Sequence, residues 1–151
     1  MSYVLRSYQD EAVRKAIWFM HNYDNPFVVL MATGAGKSLV IAEICHRLNE
    51  PVLILQPSKE ILEQNYQKLL SYGVEDIGIY SASKNRKEVA KYTYATIGSI
   101  YKKPELFKHF KYVIIDECHL VNPKNTAMSR FIVSVLILVL ISSSCLRSSP
   151  D

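Results

Sequence analysis

The chain contains 151 residues, of which 49% are hydrophobic and 21% are charged, and its formal net charge is +4. This composition excludes an intrinsically disordered chain, and the length is that of one domain with a real hydrophobic core. Three scattered cysteines exclude a disulfide framework, and neither a signal-peptide core nor a membrane-spanning run is evident. We therefore expect a cytoplasmic protein that is not held in a membrane.

The first predicted element is a helix from Ser7 to Met20. Apolar residues recur there at helical spacing and would form one buried face, made of Val13, Ala16, Ile17 and Met20. Ser7 is the expected N-cap, because Asp10 follows it at the spacing of a capping box. A turn over residues 22–26 then leads to an apolar run at 27–31, which predicts a buried strand.

The next segment, MATGAGKS, lies between that strand and a helical pattern at residues 39–48. Strand, glycine-containing turn, Lys-Ser and helix in this order are typical of a phosphate-binding loop. Gly34 and Gly36 would let the backbone approach a ligand closely, and the helix N-terminus would attract its negative charge. Lys37 would then reach the β- and γ-phosphates, while the Ser38 hydroxyl would ligate Mg²⁺.

This loop departs from the general phosphate-loop pattern at Met31, where a glycine is expected. A simple glycine turn that carries a surface lysine is the alternative interpretation. The strand before the segment and the helix after it favour the phosphate loop, because this is the context in which such a loop can bind an anion.

Strands and helices alternate along the rest of the chain. Ser58 is expected to cap a helix that continues to Tyr72. A polar segment at residues 81–91 predicts a loop or a short helix. Short apolar runs predict four more strands, at residues 52–55, 77–80, 94–97 and 112–115. This alternation predicts an α/β fold with a mostly parallel sheet and helices on both faces, in which ligands bind beyond the carboxyl ends of the strands.

An acidic box, Asp116-Glu117-Cys118-His119, follows the last of these strands. Asp116 is expected to hold Mg²⁺, because Mg²⁺ prefers carboxylate oxygens and retained waters. Glu117 would orient or deprotonate an attacking water. A solvated acidic turn is the alternative, and the upstream phosphate loop disfavours it. Cys118 and His119 have no second pair at metal-binding spacing, so we reject a metal site built on them.

Basic residues are concentrated in one part of the chain. The segment 81–111 contains eight basic residues and two acidic ones, which fits a polyanionic partner or, equally, a solvated lysine-rich face. Tyrosines are interleaved with these lysines. They would either stack on bases or belong to the core, and they are Tyr92, Tyr94 and Tyr101.

Together these motifs resemble the first motor domain of superfamily-2 helicases, the DEAD/DEAH-box-like group. Residues 32–38 are similar to the phosphate loop of that group, which lacks the first glycine, and residues 116–119 resemble its acidic box in the DExH form. Residues 57–64 and 96–99 are similar to the motifs with which the group grips a nucleic-acid backbone. Residues 5–9 resemble the segment that reads adenine.

The resemblance implies a RecA-like phosphate-loop domain at residues 1–128, an ATPase/helicase with ATP and Mg²⁺ as cofactors. It also implies a nucleic-acid partner, and the DExH form with this N-terminal segment favours DNA over RNA. The implied nucleotide-binding residues are Arg6, Gln9, Thr33, Gly34, Ala35, Gly36, Lys37 and Ser38. The implied metal ligands are Ser38 and Asp116. The implied catalytic residues are Lys37, Asp116 and Glu117. The implied nucleic-acid contacts are Pro57, Ser58, Lys59, Thr96 and Ser99.

The resemblance fails after the DExH box, where the Ser/Thr-Ala-Thr motif of the family is missing. The composition changes abruptly near Ser129, and residues 131–141 are almost entirely apolar. One interpretation is a buried strand or helix that completes the sheet. We favour the other, in which a lost reading frame or a truncation makes residues 129–151 an atypical, exposed apolar tail.

We also expect that the second motor domain implied by the resemblance is absent from this chain. In the family it supplies arginines to the ATP site, and the loss of such an arginine costs about 10³–10⁵-fold in rate in related hydrolases. We therefore expect this chain alone to bind ATP and Mg²⁺ but to hydrolyse ATP slowly. The alternatives are a truncated nucleotide-binding module without motor activity and a phosphate-loop kinase, for which no lid or phosphoacceptor segment is evident.

Overall fold

The computed structural model describes residues 4–23, 27–31, 36–56, 58–81, 85–100, 103–116 and 136–142, the last of these by its backbone. The strands are β1 (Phe27–Met31), β2 (Val52–Gln56), β3 (Ile77–Ser81), β4 (Arg86–Lys87), β5 (Tyr92–Thr96), β6 (Tyr112–Asp116) and β7 (Leu136–Ser142). The helices are α1 (Ser7–Asn22), α2 (Lys37–Leu48), α3 (Lys59–Ser71) and α4 (Ile97–Ile100), with a 3₁₀ turn at Pro104–Phe107. Within these ranges no helix combines the length and the hydropathy that a membrane span requires.

The strands form one sheet in the order β1-β7-β6-β2-β5-β3-β4. Every neighbouring pair is parallel except β3 and β4, which are antiparallel. The register aligns Gln56, the last residue of β2, with Thr96, the last residue of β5. Asp116 ends β6 one position beyond the paired residues Leu55 and Ile115. The predicted α/β fold is confirmed, and its parallel strands bring these three polar residues to one carboxyl edge.

Helices α1, α2 and α3 cover one face of the sheet and the 3₁₀ turn packs against the other, so the side chains of each central strand alternate between two buried layers. One layer includes Val52 of β2 and packs against the apolar faces of α1, α2 and α3. The opposite layer includes the buried Leu53 and Leu55, and also Tyr80, whose ring meets the ring of Phe107 edge-on at 5.0 Å. Burial on both faces explains why the strand sequences are continuous apolar runs. Each such side chain contributes about 1.5–3 kcal/mol to stability.

Helix α1 begins where the sequence predicted, but with a different cap. Arg6 is the N-cap residue, and its backbone N–H donates a hydrogen bond to Gln9 Oε1 at 2.9 Å. The prediction of Ser7 as the cap is therefore wrong. Asp10, its proposed partner, instead accepts a hydrogen bond at 2.7 Å from Arg47 of α2. The hydrogen bond from the Arg6 N–H holds the Gln9 side chain in the first turn of α1.

The polar segment at 81–91 contains a short strand where the sequence predicted a loop or a short helix. The chain turns back against β3 at Asn85, whose φ is +53°. The Glu88 N–H then donates to the Ile79 carbonyl at 2.9 Å. A Cβ on Gly78 would lie 2.8 Å from the Glu88 carbonyl oxygen, so this close approach of two backbones requires glycine.

The apolar segment beyond residue 129 contributes a strand to the middle of the sheet. Strand β7 lies between β1 and β6 and is parallel to both, with Val29 opposite Leu140 and Ile115 opposite Val139. Of the two interpretations of this segment, the strand that completes the sheet therefore holds for residues 136–142. Any suitably apolar segment can form a strand, so the presence of β7 does not show whether the segment is in the original reading frame. The lost reading frame and the domain boundary at residue 128 therefore stay predictions.

Candidate functional site

Two charged side chains from distant parts of the chain meet at the carboxyl edge of the sheet. Lys37 is the first residue of α2, and Asp116 is the last residue of β6. Lys37 Nζ donates to Asp116 Oδ1 at 3.1 Å, and the two side chains are only 18% and 6% exposed. The fold thus brings together two of the three predicted catalytic residues, while Glu117 lies outside the described residues. A cation and a carboxylate at low exposure suit a phosphate accompanied by a divalent cation.

A third side chain, which the sequence analysis missed, joins this pair to the predicted metal ligand Ser38. The Ser38 hydroxyl donates to Asn65 Oδ1 at 2.9 Å, and Asn65 Nδ2 makes a long hydrogen bond of 3.5 Å to Asp116 Oδ2. Asn65 is buried on α3 between Leu62 and Leu69. The sequence could have indicated this role, because Asn65 stands at a position where the helical period of α3 predicts an apolar residue. A buried amide requires hydrogen-bond partners, so a polar residue at such a position indicates a polar contact.

The backbone at the start of α2 has a conformation that favours glycine. Gly36 has a φ of +83°, and its carbonyl accepts hydrogen bonds from Leu39 and Val40 at 3.1 Å. A Cβ at this position would lie 2.5 Å from Gln9 Nε2. Gly36 therefore serves both the turn and the close approach of α1. The other predicted loop residues, Thr33, Gly34 and Ala35, lie outside the described residues.

Of the two residues at the start of α1 that are predicted to bind the nucleotide, Gln9 lies beside this glycine, and Arg6 is hydrogen-bonded to Gln9. Gln9 is buried, its Oε1 accepts the Arg6 N–H, and its Nε2 faces the Gly36 Cα. Helix α1 is held against α2 by the ion pair of Asp10 and Arg47, 2.7 Å long. Hydrogen bonds from Arg47 and Arg14 lower the pKa of Asp10, so the carboxylate is charged under ordinary conditions.

The described residues predicted to touch nucleic acid follow two adjacent strands. Ser58 directly precedes α3 and caps it, since its Oγ accepts the Ile61 N–H at 3.3 Å. Thr96 ends β5, and its hydroxyl lies 2.6 Å from the Ser99 hydroxyl. Lys59, the first residue of α3, is exposed. These groups therefore line the carboxyl edge of β2 and β5, beside the Lys37–Asp116 pair, while Pro57 lies outside the described residues.

Two of the tyrosines considered for base stacking are core residues. Tyr94 is fully buried, and burial raises its pKa well above the ordinary value. Tyr92 is 6% exposed, and its hydroxyl donates to the Cys45 carbonyl at 2.9 Å. The prediction that these two rings stack on bases is therefore wrong, and the alternative, that they belong to the core, is confirmed. Tyr101 lies outside the described residues.

The described residues of the basic segment lie at different places on the sheet. Lys91 and Lys111 directly precede β5 and β6, so they lie at the amino edge of the sheet, opposite the predicted nucleic-acid contacts. The Lys91 ammonium donates to the Asn49 side chain at that edge. Arg86 pairs with Glu88 in the hairpin. Basic residues that are close in the sequence, such as Arg86 and Lys91, therefore do not all lie on the surface of the predicted nucleic-acid contacts.

The fold and the site together define the class of protein. A lysine that follows β1 and an aspartate that ends β6 lie on either side of β7 in a mostly parallel sheet, which is a RecA-like architecture. This architecture and the sequence relatives together define the N-terminal domain of a superfamily-2 helicase. The chain belongs to the family described as "Type III restriction enzyme, res subunit", whose profile matches residues 2–138. That match includes Lys37 and Asp116 and reaches into β7.

Individual relatives agree with this family. A protein of African swine fever virus, named as a candidate ATP-dependent RNA helicase, is 30% identical over 80% of this chain and 25% of its own length. The chain therefore spans a quarter of that curated relative. The UvsW helicase from bacteriophage T4 has the same fold, with a TM-score of 0.77 at 22% identity over 97% of this chain and 54% of its own.

A second solved structure shares the fold as well. It is a nuclease-deletion mutant of the type ISP restriction-modification enzyme LlaGI, in complex with a DNA substrate mimic. Its TM-score is 0.68 at 22% identity, over 93% of this chain and 17% of that protein. At this level of identity, the two structural likenesses establish the architecture of the sheet and helices.

Proposed function

We propose that the chain is the ATP-binding lobe of a nucleic-acid motor, a helicase or translocase of the cytoplasm that hydrolyses ATP with Mg²⁺. The observation that carries this proposal is the cluster of Lys37, Ser38 and Asp116 joined by Asn65 at the carboxyl edge of the sheet. Its side chains offer a cation for phosphate, and a hydroxyl and a carboxylate for a metal ion, next to the N-terminus of a 12-residue helix.

These groups fit a complex of Mg²⁺ with a nucleotide. Mg²⁺ keeps several waters and is usually bound by one or two carboxylates and by phosphate oxygens. Within the described ranges no group of three or more His, Cys, Asp or Glu side chains could hold a metal alone. Asp116 and Ser38 would hold the ion, and Lys37 would bind the phosphates. When bound, the ion would neutralise charge on the transferred phosphoryl group.

Two further roles belong to the same proposal. Gln9 would read adenine, because an amide side chain offers both a donor and an acceptor, which suits the Hoogsteen edge of the base. Glu117 would orient or deprotonate the attacking water from the end of β6. Both roles rest on the placement of Gln9 beside Gly36 and of Asp116 beside Lys37.

The nucleic-acid partner is proposed to be DNA. The hydroxyls of Ser58, Thr96 and Ser99 would contact phosphates, which positions a strand without reading its sequence. The complex of LlaGI with a DNA mimic supports DNA, while the name of the viral relative refers to RNA. A direct comparison of the two nucleic acids is therefore part of the test.

Nucleotide binding is tested first, with a fluorescent ATP analogue and Mg²⁺. Lys37→Ala should weaken binding about 10- to 100-fold, because hydrogen bonds to charged groups are worth about 1.5–3 kcal/mol. Lys68→Ala is the matched control, since Lys68 is exposed near the far end of α3. Equal affinities of the wild type and Lys37→Ala would contradict the proposed nucleotide site.

Nucleic-acid binding is tested by anisotropy of labelled single-stranded DNA, duplex DNA and RNA of one sequence. Binding should respond to salt and to a non-hydrolysable ATP analogue, and DNA should bind more tightly than RNA. Thr96→Val should weaken binding of all three nucleic acids, whereas Ser71→Ala at the far end of α3 should not. Tighter RNA binding would overturn the DNA preference. If the chain binds the nucleotide but no nucleic acid, the remaining functions are a nucleotide-binding module and a phosphate-loop kinase.

The isolated chain is proposed to hydrolyse ATP slowly. Its relatives are longer, and the resemblance assigns the completing arginines to a second motor domain. ATPase rates with and without DNA, for the wild type and Glu117→Gln, test this proposal. Slow, weakly stimulated hydrolysis is expected, and brisk stimulation that depends on Glu117 would contradict it.

A further inference from the structure

The buried amide of Asn65 connects three elements of the site that are far apart in the sequence. Its Oδ1 accepts from Ser38 of α2, and its Nδ2 lies 3.5 Å from Asp116 Oδ2 of β6. Asn65 itself belongs to α3 and is 7% exposed. Asp116 receives Lys37 on its other oxygen. The amide therefore completes a network with two of the predicted metal ligands.

The chemistry of an amide suits this position. A serine hydroxyl has one hydrogen and two lone pairs, and its hydrogen must find an acceptor if the lone pairs are to face a cation. Asn65 Oδ1 is that acceptor at 2.9 Å. An amide nitrogen can only donate, so Asn65 Nδ2 restrains one oxygen of Asp116 without competing for a cation. Leucine has the same number of side-chain heavy atoms, branched at the same position, and it offers neither function.

We infer that Asn65 is a positioning residue for the divalent cation of the nucleotide, acting through Ser38 and Asp116; this inference rests on the proposed function. It orients the Ser38 hydroxyl and the Asp116 carboxylate from outside the ligand set. Removal of residues that orient metal ligands typically costs about 10- to 100-fold in metal affinity. The effect should therefore appear in metal-dependent binding and be absent from metal-free nucleotide binding.

The test measures binding of Mn²⁺ by electron paramagnetic resonance in the presence of ADP, and binding of ADP in EDTA. Asn65→Leu should weaken Mn²⁺ binding about 10- to 100-fold and leave ADP affinity in EDTA unchanged. Leu69→Ala is the control, because Leu69 is buried on the same face of α3 and has no contact with the site among the described side-chain contacts. It should lower stability without changing the Mn²⁺ affinity.

A second set of variants tests whether Asn65 acts through Ser38. In a Ser38→Ala background, Asn65→Leu should weaken Mn²⁺ binding less than it does in the wild type, because one of its partners is already missing. If Asn65→Leu does not fold, Asn65→Ser replaces it, since a serine side chain is too short to bridge both groups. Circular dichroism establishes folding for each variant.

The outcomes separate this inference from the proposed function. A wild type that binds ADP with a strong Mn²⁺ dependence, together with an Asn65→Leu variant of equal Mn²⁺ affinity, would overturn the inference alone. Equal losses of ADP affinity with and without metal would also overturn it, by showing a structural role. A wild type that binds neither ADP nor Mn²⁺ would overturn the proposed function itself.

Discussion

Replacement of Gly36 by alanine should destabilise the protein for two separate reasons. Its φ of +83° costs an L-residue about 1–2 kcal/mol. The new Cβ would lie 2.5 Å from Gln9 Nε2, so the Gln9 side chain must move. Loss of its hydrogen bond to the Arg6 N–H would cost about 0.5–1.5 kcal/mol more. Against this, alanine reduces the entropy of the unfolded chain and returns about 0.4–1 kcal/mol. The net loss should be roughly 0.5–3 kcal/mol.

Urea unfolding followed by circular dichroism measures this loss. With a slope of about 1–3 kcal/mol per molar urea, the midpoint should fall by roughly 1 M. Gly98→Ala is the matched control, because nothing lies within 4 Å of its added Cβ and no positive φ is recorded there, so it should be neutral or stabilising. In a Gln9→Ala background, Gly36→Ala should cost less, since the contact with Gln9 is gone. A Gly36→Ala variant as stable as Gly98→Ala would refute this reasoning.

Three further predictions concern buried or paired groups. Gln56→Leu should raise the free energy of unfolding, measured by urea titration, by about 1–3 kcal/mol. The reason is that Gln56 is fully buried and neither polar atom of its side chain has a hydrogen-bond partner among the described residues. A loss of stability would show that Gln56 has a partner. Asp10 has a lowered pKa in the folded state, so its contribution is complete above the ordinary value of 3.8 and is lost as the pH falls through the folded pKa. Asp10→Asn should therefore be less stable than the wild type at pH 7, and the gap should close in acid unfolding below about pH 4; a constant gap would contradict the ion pair. Burial raises the pKa of Cys45 to about 12, so peptide mapping after alkylation at pH 8 should find it unmodified until urea unfolds the protein.

Local patterns in the sequence were sufficient for most of the fold. Apolar runs of four or five residues predicted β1, β2, β3, β5 and β6, because a strand buried on both faces needs no polar alternation. For β5 the bounds were wrong, since Tyr92 and Thr93 belong to the strand and Ile97 begins α4. The helical period and Ser58 placed α3 correctly. Lys37 and Asp116 were predicted to belong to one site from the residue types expected at strand ends, and the ion pair between them at one edge of the sheet confirms their proximity.

Contacts between distant segments were not predictable in this way. The pairing of Asn65 with Ser38 and Asp116 joins residues 27 and 51 positions apart, and no local pattern records which elements will pack together. The same limit explains the core positions of Tyr92 and Tyr94 and the insertion of β7 between β1 and β6. Residue chemistry and periodicity thus specify which elements form and which groups are reactive, because both depend on near neighbours. The arrangement of those groups around one site depends on packing across the sheet, where strand order and register decide which side chains meet.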